Sequence, residues 1–156
     1  LKLWNEMPET RSFSGEGIYR TTVEIPPDRF VANRARRHVL DLGEVFECAS
    51  VLVNGERVGD LWMRPYRIDI SGQLKPGRNA IEIRVVNLDW NYVKGQDEPT
   101  SIPAELRSHF GTDPMPASGG QARALSALKK RADYIPSGLG GPARIETVEE
   151  VQLRFE

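Results

Sequence analysis

Apolar and polar residues alternate with a period of two along most of this chain. Tyr19, Thr21, Val23 and Ile25 alternate with Arg20, Thr22 and Glu24 until Pro26-Pro27 ends the run. Such alternation puts one face of a strand against a core and leaves the other in water. The clearest case is Ile81, Ile83 and Val85 against Glu82 and Arg84, entered through the turn pair Pro76-Gly77. Residues 39–43 and 47–53 read as two further strands, and Ile68 and Ile70 flank Asp69 in a short one. At the far end Val151, Leu153 and Phe155 alternate with Gln152 and Arg154, preceded by a piece of strand at Ile145 and Val148 and a bulge near Glu149-Glu150.

The strand over 47–53 runs into Asn54-Gly55. Asparagine and glycine accept the positive φ angles of a type I′ turn, so a tight hairpin into residues 56–61 is expected. Short strands broken by turn signals every 8–12 residues predict an all-β, antiparallel β-sandwich. Residues 88–136 break the pattern. They are rich in Pro, Gly and Ser and form a long excursion with two short helices, over 103–110 and 121–132, the second with Leu125, Leu128 and Ala132 on one face. The expected organisation is a single domain over 1–156 with this partly helical insertion.

Composition narrows the partners. Lys+Arg is 21 and Asp+Glu 22, a net charge of −1, which argues against a nucleic-acid binder. Two basic runs, Arg34/Arg36/Arg37 and Lys129/Lys130/Arg131, read as a solvated loop and a helix C-terminus. The one cysteine, Cys48, excludes an internal disulfide and reads as a small core filler at the start of a strand. No stretch approaches the roughly 18 apolar residues of a membrane-spanning helix, so no membrane partner is expected. The abrupt ends, Leu1-Lys2-Leu3-Trp4 and Phe155-Glu156, read as those of a fragment of a larger protein.

The catalytic inventory is thin. His38 and His109 share no partner at ligand spacing, and Ser137-Gly138-Leu139-Gly140-Gly141 leads into a strand and not a helix, so it makes no phosphate loop. Asp41, Asp60 and Asp69 are carboxylates that sequence alone does not pair for glycosidic cleavage. No catalytic residue is assigned. Aromatic residues are the better lead. Trp62, Tyr66, Trp90 and Tyr92 fall at strand ends or in loops, beside Arg64, Arg67, Asn87 and Asn91. Rings that stack on the C–H face of a sugar, with fixed polar groups for its hydroxyls, form a recurrent recognition design. The same rings serve equally as plugs in a core or an interface between domains. Trp4 reads as a plug for the N-terminal arm. The expected carbohydrate-binding set is Trp62, Tyr66, Arg67, Trp90, Asn91 and Tyr92.

The motif order also resembles a known family. Arg11-Ser12-Phe13-Ser14-Gly15-Glu16-Gly17-Ile18-Tyr19, Leu40-Asp41-Leu42-Gly43-Glu44-Val45, Val51-Leu52-Val53-Asn54-Gly55 and Leu61-Trp62-Met63-Arg64-Pro65-Tyr66-Arg67-Ile68-Asp69-Ile70 resemble the galactose-binding-like, jelly-roll sugar-binding domain of family 2 glycoside hydrolases. The Leu-Trp-x-x-Pro-Tyr-Arg stretch, Trp90-Asn91 and Pro136-Ser137-Gly138-Leu139-Gly140-Gly141-Pro142 are similar to the C-terminal domain of family 106 α-L-rhamnosidases. The resemblance implies a non-catalytic accessory carbohydrate-binding domain of a bacterial, periplasmic or secreted glycoside hydrolase, whose partners are carbohydrate and the parent's catalytic domain. The alternative it implies is a purely structural domain that buttresses the catalytic barrel. No organic cofactor is implied. Jelly rolls often hold a structural calcium ion near their termini, so calcium stays open, although the chain has no dense Asp/Asn cluster of a calcium loop.

Overall fold

The computed structural model describes residues 1–28, 30, 36–96, 127–149, 151, 153 and 154. The chain divides into two compact units. The first comprises Leu1–Leu3, Gly15–Leu88 and Ser137–Glu156, and the second Trp4–Ser14 with Asp89–Pro136. Most of the second unit coincides with the excursion expected over 88–136.

All described strands belong to the first unit. In chain order they are β1 (Glu16–Ile25), β2 (Arg36–Asp41), β3 (Glu44–Phe46), β4 (Cys48–Val53), β5 (Glu56–Leu61), β6 (Arg67–Asp69), β7 (Gly77–Val86), β8 (Gly138–Gly141) and β9 (Arg144–Glu149). They form a four-stranded sheet in the order β1-β7-β4-β5, a three-stranded sheet β6-β2-β9 and the pair β3-β8. Every pairing is antiparallel. The architecture is the antiparallel β-sandwich that the alternation predicts.

The period of two explains the core. On β7 Asn79, Ile81, Ile83 and Val85 are buried, and on β4 Ala49, Val51 and Val53. Tyr19 faces Ile83 and Val23 faces Asn79 across the β1–β7 ladder, so the alternation of β1 meets that of β7 in register. From the other sheet Leu40 faces Ile68 on one side and Ile145 on the other, and Leu42, Val45, Ile70, Leu74 and Leu139 complete the interior. Removing a fully buried side chain of this size from water is worth roughly 1.5–3 kcal/mol.

Two turns fix the strands at their ends. Asn54 and Gly55 adopt φ of 53° and 87°, and Val53 pairs directly with Glu56, so the two-residue hairpin is as expected. Gly43 also lies at positive φ, 66°. Its amide donates to Asp41 Oδ1 at 2.9 Å, and a Cβ there would stand 2.6 Å from the carbonyl carbon of Gly141. Only glycine fits that approach of backbone to backbone.

Three local expectations are corrected. Cys48 is exposed and not a core filler, because the inward positions of β4 are Ala49, Val51 and Val53 and the period of two turns Cys48 outward. Among the described residues the last strand is Arg144–Glu149, paired with β2 from Asp41↔Arg144 to Arg36↔Glu149. Val151 and Leu153 carry no strand and are 75% and 74% exposed, whereas Phe155 lies outside the described residues. Residues 90–92, read as loop, open a short helix, α1 (Trp90–Gly95). Of the two helices expected in the excursion, 103–110 lies outside the described residues. Within 121–132, residues 127–131 are helical, with Leu128 of the expected apolar face 52% exposed.

Candidate functional site

The six residues singled out from sequence fall three in each unit. Trp62, Tyr66 and Arg67 belong to the first, in and after the loop from β5 to β6. Trp62 is 71% exposed and Met63 59%, yet the loop that carries them is fixed where it re-enters the sandwich. Tyr66 is buried and its hydroxyl donates to the Glu47 carbonyl at 2.9 Å. The Leu42 amide donates to the Tyr66 carbonyl at 2.9 Å, and the Arg67 amide to the Pro65 carbonyl at 2.8 Å. The loop thus presents a large ring and a thioether at its tip from an anchored base.

Arg67 closes a ring of charges on the outer face of β6-β2-β9. Its guanidinium lies 3.6 Å from Asp41 and 2.5 Å from Glu146, and Arg144 reaches the same two carboxylates at 3.3 and 2.8 Å. Pairs this exposed add little stability, but alternating signs across three strands orient each side chain. Below the ring, burial raises the Asp69 carboxyl. The hydroxyl and amide of Ser71, with Arg37 and His38, outweigh that and hold it below the usual carboxylate range.

Trp90, Asn91 and Tyr92 begin α1 in the second unit. The Trp90 indole N–H donates to the Asp133 carbonyl at 3.1 Å. Asn91 is fully buried and its amide is engaged on both sides: Nδ2 donates to the Ile135 carbonyl at 2.8 Å and Oδ1 accepts the Ile135 amide at 2.9 Å. Tyr92 is 43% exposed. In the same unit Tyr134 carries the Arg11 guanidinium 5.6 Å and the Lys94 ammonium 5.5 Å from its ring centre. Trp4 is the plug expected of it, buried and edge-on to Phe13 at 5.3 Å.

Sequence reasoning missed two features of the first unit. One is an amide clasp. Asn54 Nδ2 donates to Asn79 Oδ1 at 2.9 Å and to the Gln73 carbonyl at 2.8 Å, tying the β4–β5 turn to the loop before β7. The signal was an asparagine at position 79, an inward position shared with Ile81, Ile83 and Val85. The other is a hollow of about 430 Å³ on the outer face of the four-stranded sheet. Leu52 and Ala80 line it, with Thr22, Arg20 and Glu82 and the bare Gly55 of the hairpin. Arg84 and Arg20 both bond the Glu82 carboxylate at 2.7 Å and hold it below its usual range. None of the six nominated residues lines this hollow. Among the described residues no group of three or more His, Cys, Asp or Glu side chains converges to hold a metal ion, and no helix is long and apolar enough to cross a membrane.

Comparison with known proteins bears on the whole chain. Residues 9–117 match the family described as "Glycosyl hydrolase 2 galactose-binding domain-like". A provisionally named β-glucuronidase of Formosa agariphila is 30% identical over 98% of this chain, which spans 14% of that protein's length. The structure of a rhamnosidase from Novosphingobium sp. PP1Y superposes with a TM-score of 0.66 and 30% identity, over 90% of this chain and 12% of that one. A Bifidobacterium dentium β-glucuronidase, solved with coumarin-3-O-glucuronide, shares the fold at TM-score 0.58 and 21% identity, over 93% of this chain and 23% of that one.

Proposed function

Because the chain belongs to the glycosyl hydrolase 2 galactose-binding domain-like family, we propose that it is a non-catalytic accessory domain of a larger, α-L-rhamnosidase-like glycoside hydrolase and that it contacts carbohydrate. Support for an accessory role is the small share, 12–14%, that the chain spans of the rhamnosidase and the Formosa relative. The single observation that carries the contact is Trp62. It is a tryptophan 71% exposed on a loop whose base is pinned by a buried tyrosine. An exposed indole next to an exposed thioether makes a small apolar patch, and tryptophan is enriched among the residues that carry binding energy at contact surfaces. Tyr66 and Arg67 act as positioning residues for that ring. In the second unit Tyr92 and the exposed part of Trp90 offer contact, and Asn91 positions them.

Glycosides ending in rhamnose or glucuronate are the probes that the relatives' names suggest. Titration of the purified chain, followed by tryptophan fluorescence, is expected to give saturable binding that Trp62→Ala weakens at least tenfold. Binding that survives both Trp62→Ala and Trp90→Ala would show that neither ring contacts the sugar. No binding to any probe, with concentration-dependent dimerisation that Trp62→Ala abolishes, would favour the second reading, in which the Trp62–Met63 tip docks on the catalytic barrel. That reading draws on the pairing of an indole with an exposed thioether, an apolar tip suited to a protein surface. Turnover of an aryl glycoside by the isolated chain, abolished by one carboxylate substitution, would overturn the non-catalytic assignment.

A further inference from the structure

The hairpin tip that links β4 to β5 carries a reactive dipeptide in a protected setting. Asparagine followed by glycine is the sequence most prone to lose its side-chain amide. The glycine has no side chain to shield its backbone nitrogen, and asparagine is among the labile residues of proteins. In that reaction the Gly55 nitrogen attacks Cγ of Asn54. A C–N bond forms, the Cγ–Nδ2 bond breaks, and ammonia leaves with the proton from the Gly55 amide. Water then opens the five-membered imide at either carbonyl, giving aspartate or isoaspartate. No oxidant or enzyme is required. Asn54-Gly55 is the only Asn-Gly pair in the chain.

We propose that Asn54-Gly55 is a deamidation site that the native fold holds shut, so that the modification records each opening of the hairpin and then prevents its full reclosure. The leaving nitrogen is held by two acceptors, the Gln73 carbonyl at 2.8 Å and Asn79 Oδ1 at 2.9 Å. The amide oxygen of Asn54 accepts the Ala80 amide at 3.0 Å, and the Asn54 amide donates back to the Ala80 carbonyl at 2.8 Å. Both atoms of the side-chain amide are therefore tied to fixed backbone or to a buried group. Cγ cannot swing toward the Gly55 nitrogen until these bonds break together.

The product does not fit the same clasp. An aspartate at 54 has no hydrogen to give, so its oxygen would face two other acceptors at hydrogen-bond distance. Asn79 cannot turn its amide over to help. Its Nδ2 already donates to the carbonyls of Lys75 and Gly77, each at 2.8 Å, and its Oδ1 accepts the Lys75 amide at 2.9 Å, with the side chain fully buried. Isoaspartate adds a backbone methylene and breaks the two-residue turn that pairs Val53 with Glu56. Either product loosens the β4–β5 hairpin and the start of β7.

The test incubates the purified chain at pH 8.5 and 37 °C, native and in guanidinium chloride, beside a synthetic peptide of residues 51–58. Peptide mapping by mass spectrometry follows the mass gain at Asn54. The expected result is that the unfolded chain and the peptide deamidate at matching rates and the native chain at least tenfold more slowly. Equal native and unfolded rates would overturn the protection. The Asn54→Asp variant, made directly, is expected to melt several degrees below the parent, and an unchanged melting temperature would overturn the one-way consequence. If that variant does not fold, the ratio of native to unfolded rates still decides the first claim.

Discussion

The loop after β5 and the start of α1 carry the same kinds of residue, an indole beside a tyrosine and a polar group, and the fold treats them in opposite ways. In the first, the tyrosine is the anchor: Tyr66 is buried with its hydroxyl on the Glu47 carbonyl, and Trp62 is left in solvent. In the second the amide is the anchor: Asn91 is buried with both of its polar atoms on Ile135, Trp90 is tied through its indole nitrogen, and Tyr92 is left outside. An aromatic cluster in a sequence thus mixes residues that hold a surface with residues that form it, and hydrogen bonding to backbone separates the two.

The largest effect that would break this comparison belongs to the anchors. Tyr66→Ala removes a buried ring and leaves the Glu47 carbonyl without its hydroxyl, and is expected to cost about 3–5 kcal/mol in urea unfolding. Tyr66→Phe keeps the ring and should cost only about 1 kcal/mol. If both variants lose the same amount, the hydroxyl and not the ring is the anchor. Asn91→Ala strips two backbone groups of Ile135 of their partner and is expected to cost about 2–4 kcal/mol. Hydrogen exchange of the Ile135 amide should accelerate in step, and an unchanged exchange rate would show that Asn91 does not hold α1.

How much of this was legible in the sequence follows from what decides each part. The strands of the sandwich were readable because burial on one face imposes a period of two, as Ile81, Ile83 and Val85 display. The Asn54-Gly55 turn was readable because few residue pairs tolerate two positive φ angles. The division of labour among the six aromatic and polar residues was not, since it depends on backbone carbonyls at Glu47, Asp133 and Ile135, remote in sequence. The far end of the chain was also hidden: Val151 and Leu153 keep the alternation although neither lies in a strand. A pattern fixes what a strand would bury, and a partner strand decides whether it forms.

Smaller effects sharpen the contrast at the exposed rings. Trp62→Ala should change stability by no more than about 0.5 kcal/mol, as for surface positions generally, even where it abolishes ligand or domain contact. A large loss of stability would mean that the loop is a core plug. Smallest is a pH effect just beyond the anchored loop. Asp69 ionises more readily in the folded chain than in the unfolded one. Its contribution is therefore complete above the unfolded value, about pH 4, and is lost as pH falls through the lower folded value. Acid unfolding below pH 4 should be shallower in Asp69→Asn than in the parent, and identical profiles would remove Asp69 from the account.

The outward turn of Cys48 has a practical use. The chain contains one thiol, and it stands at the head of β4 on the solvent side of the four-stranded sheet. A maleimide reagent will therefore attach one label per chain at a known spot, without engineering. A fluorophore there becomes a reporter of what that face meets. Quenching or protection from labelling when the chain is joined to the larger hydrolase proposed for it would map the sheet as covered, and free reaction would map it as open.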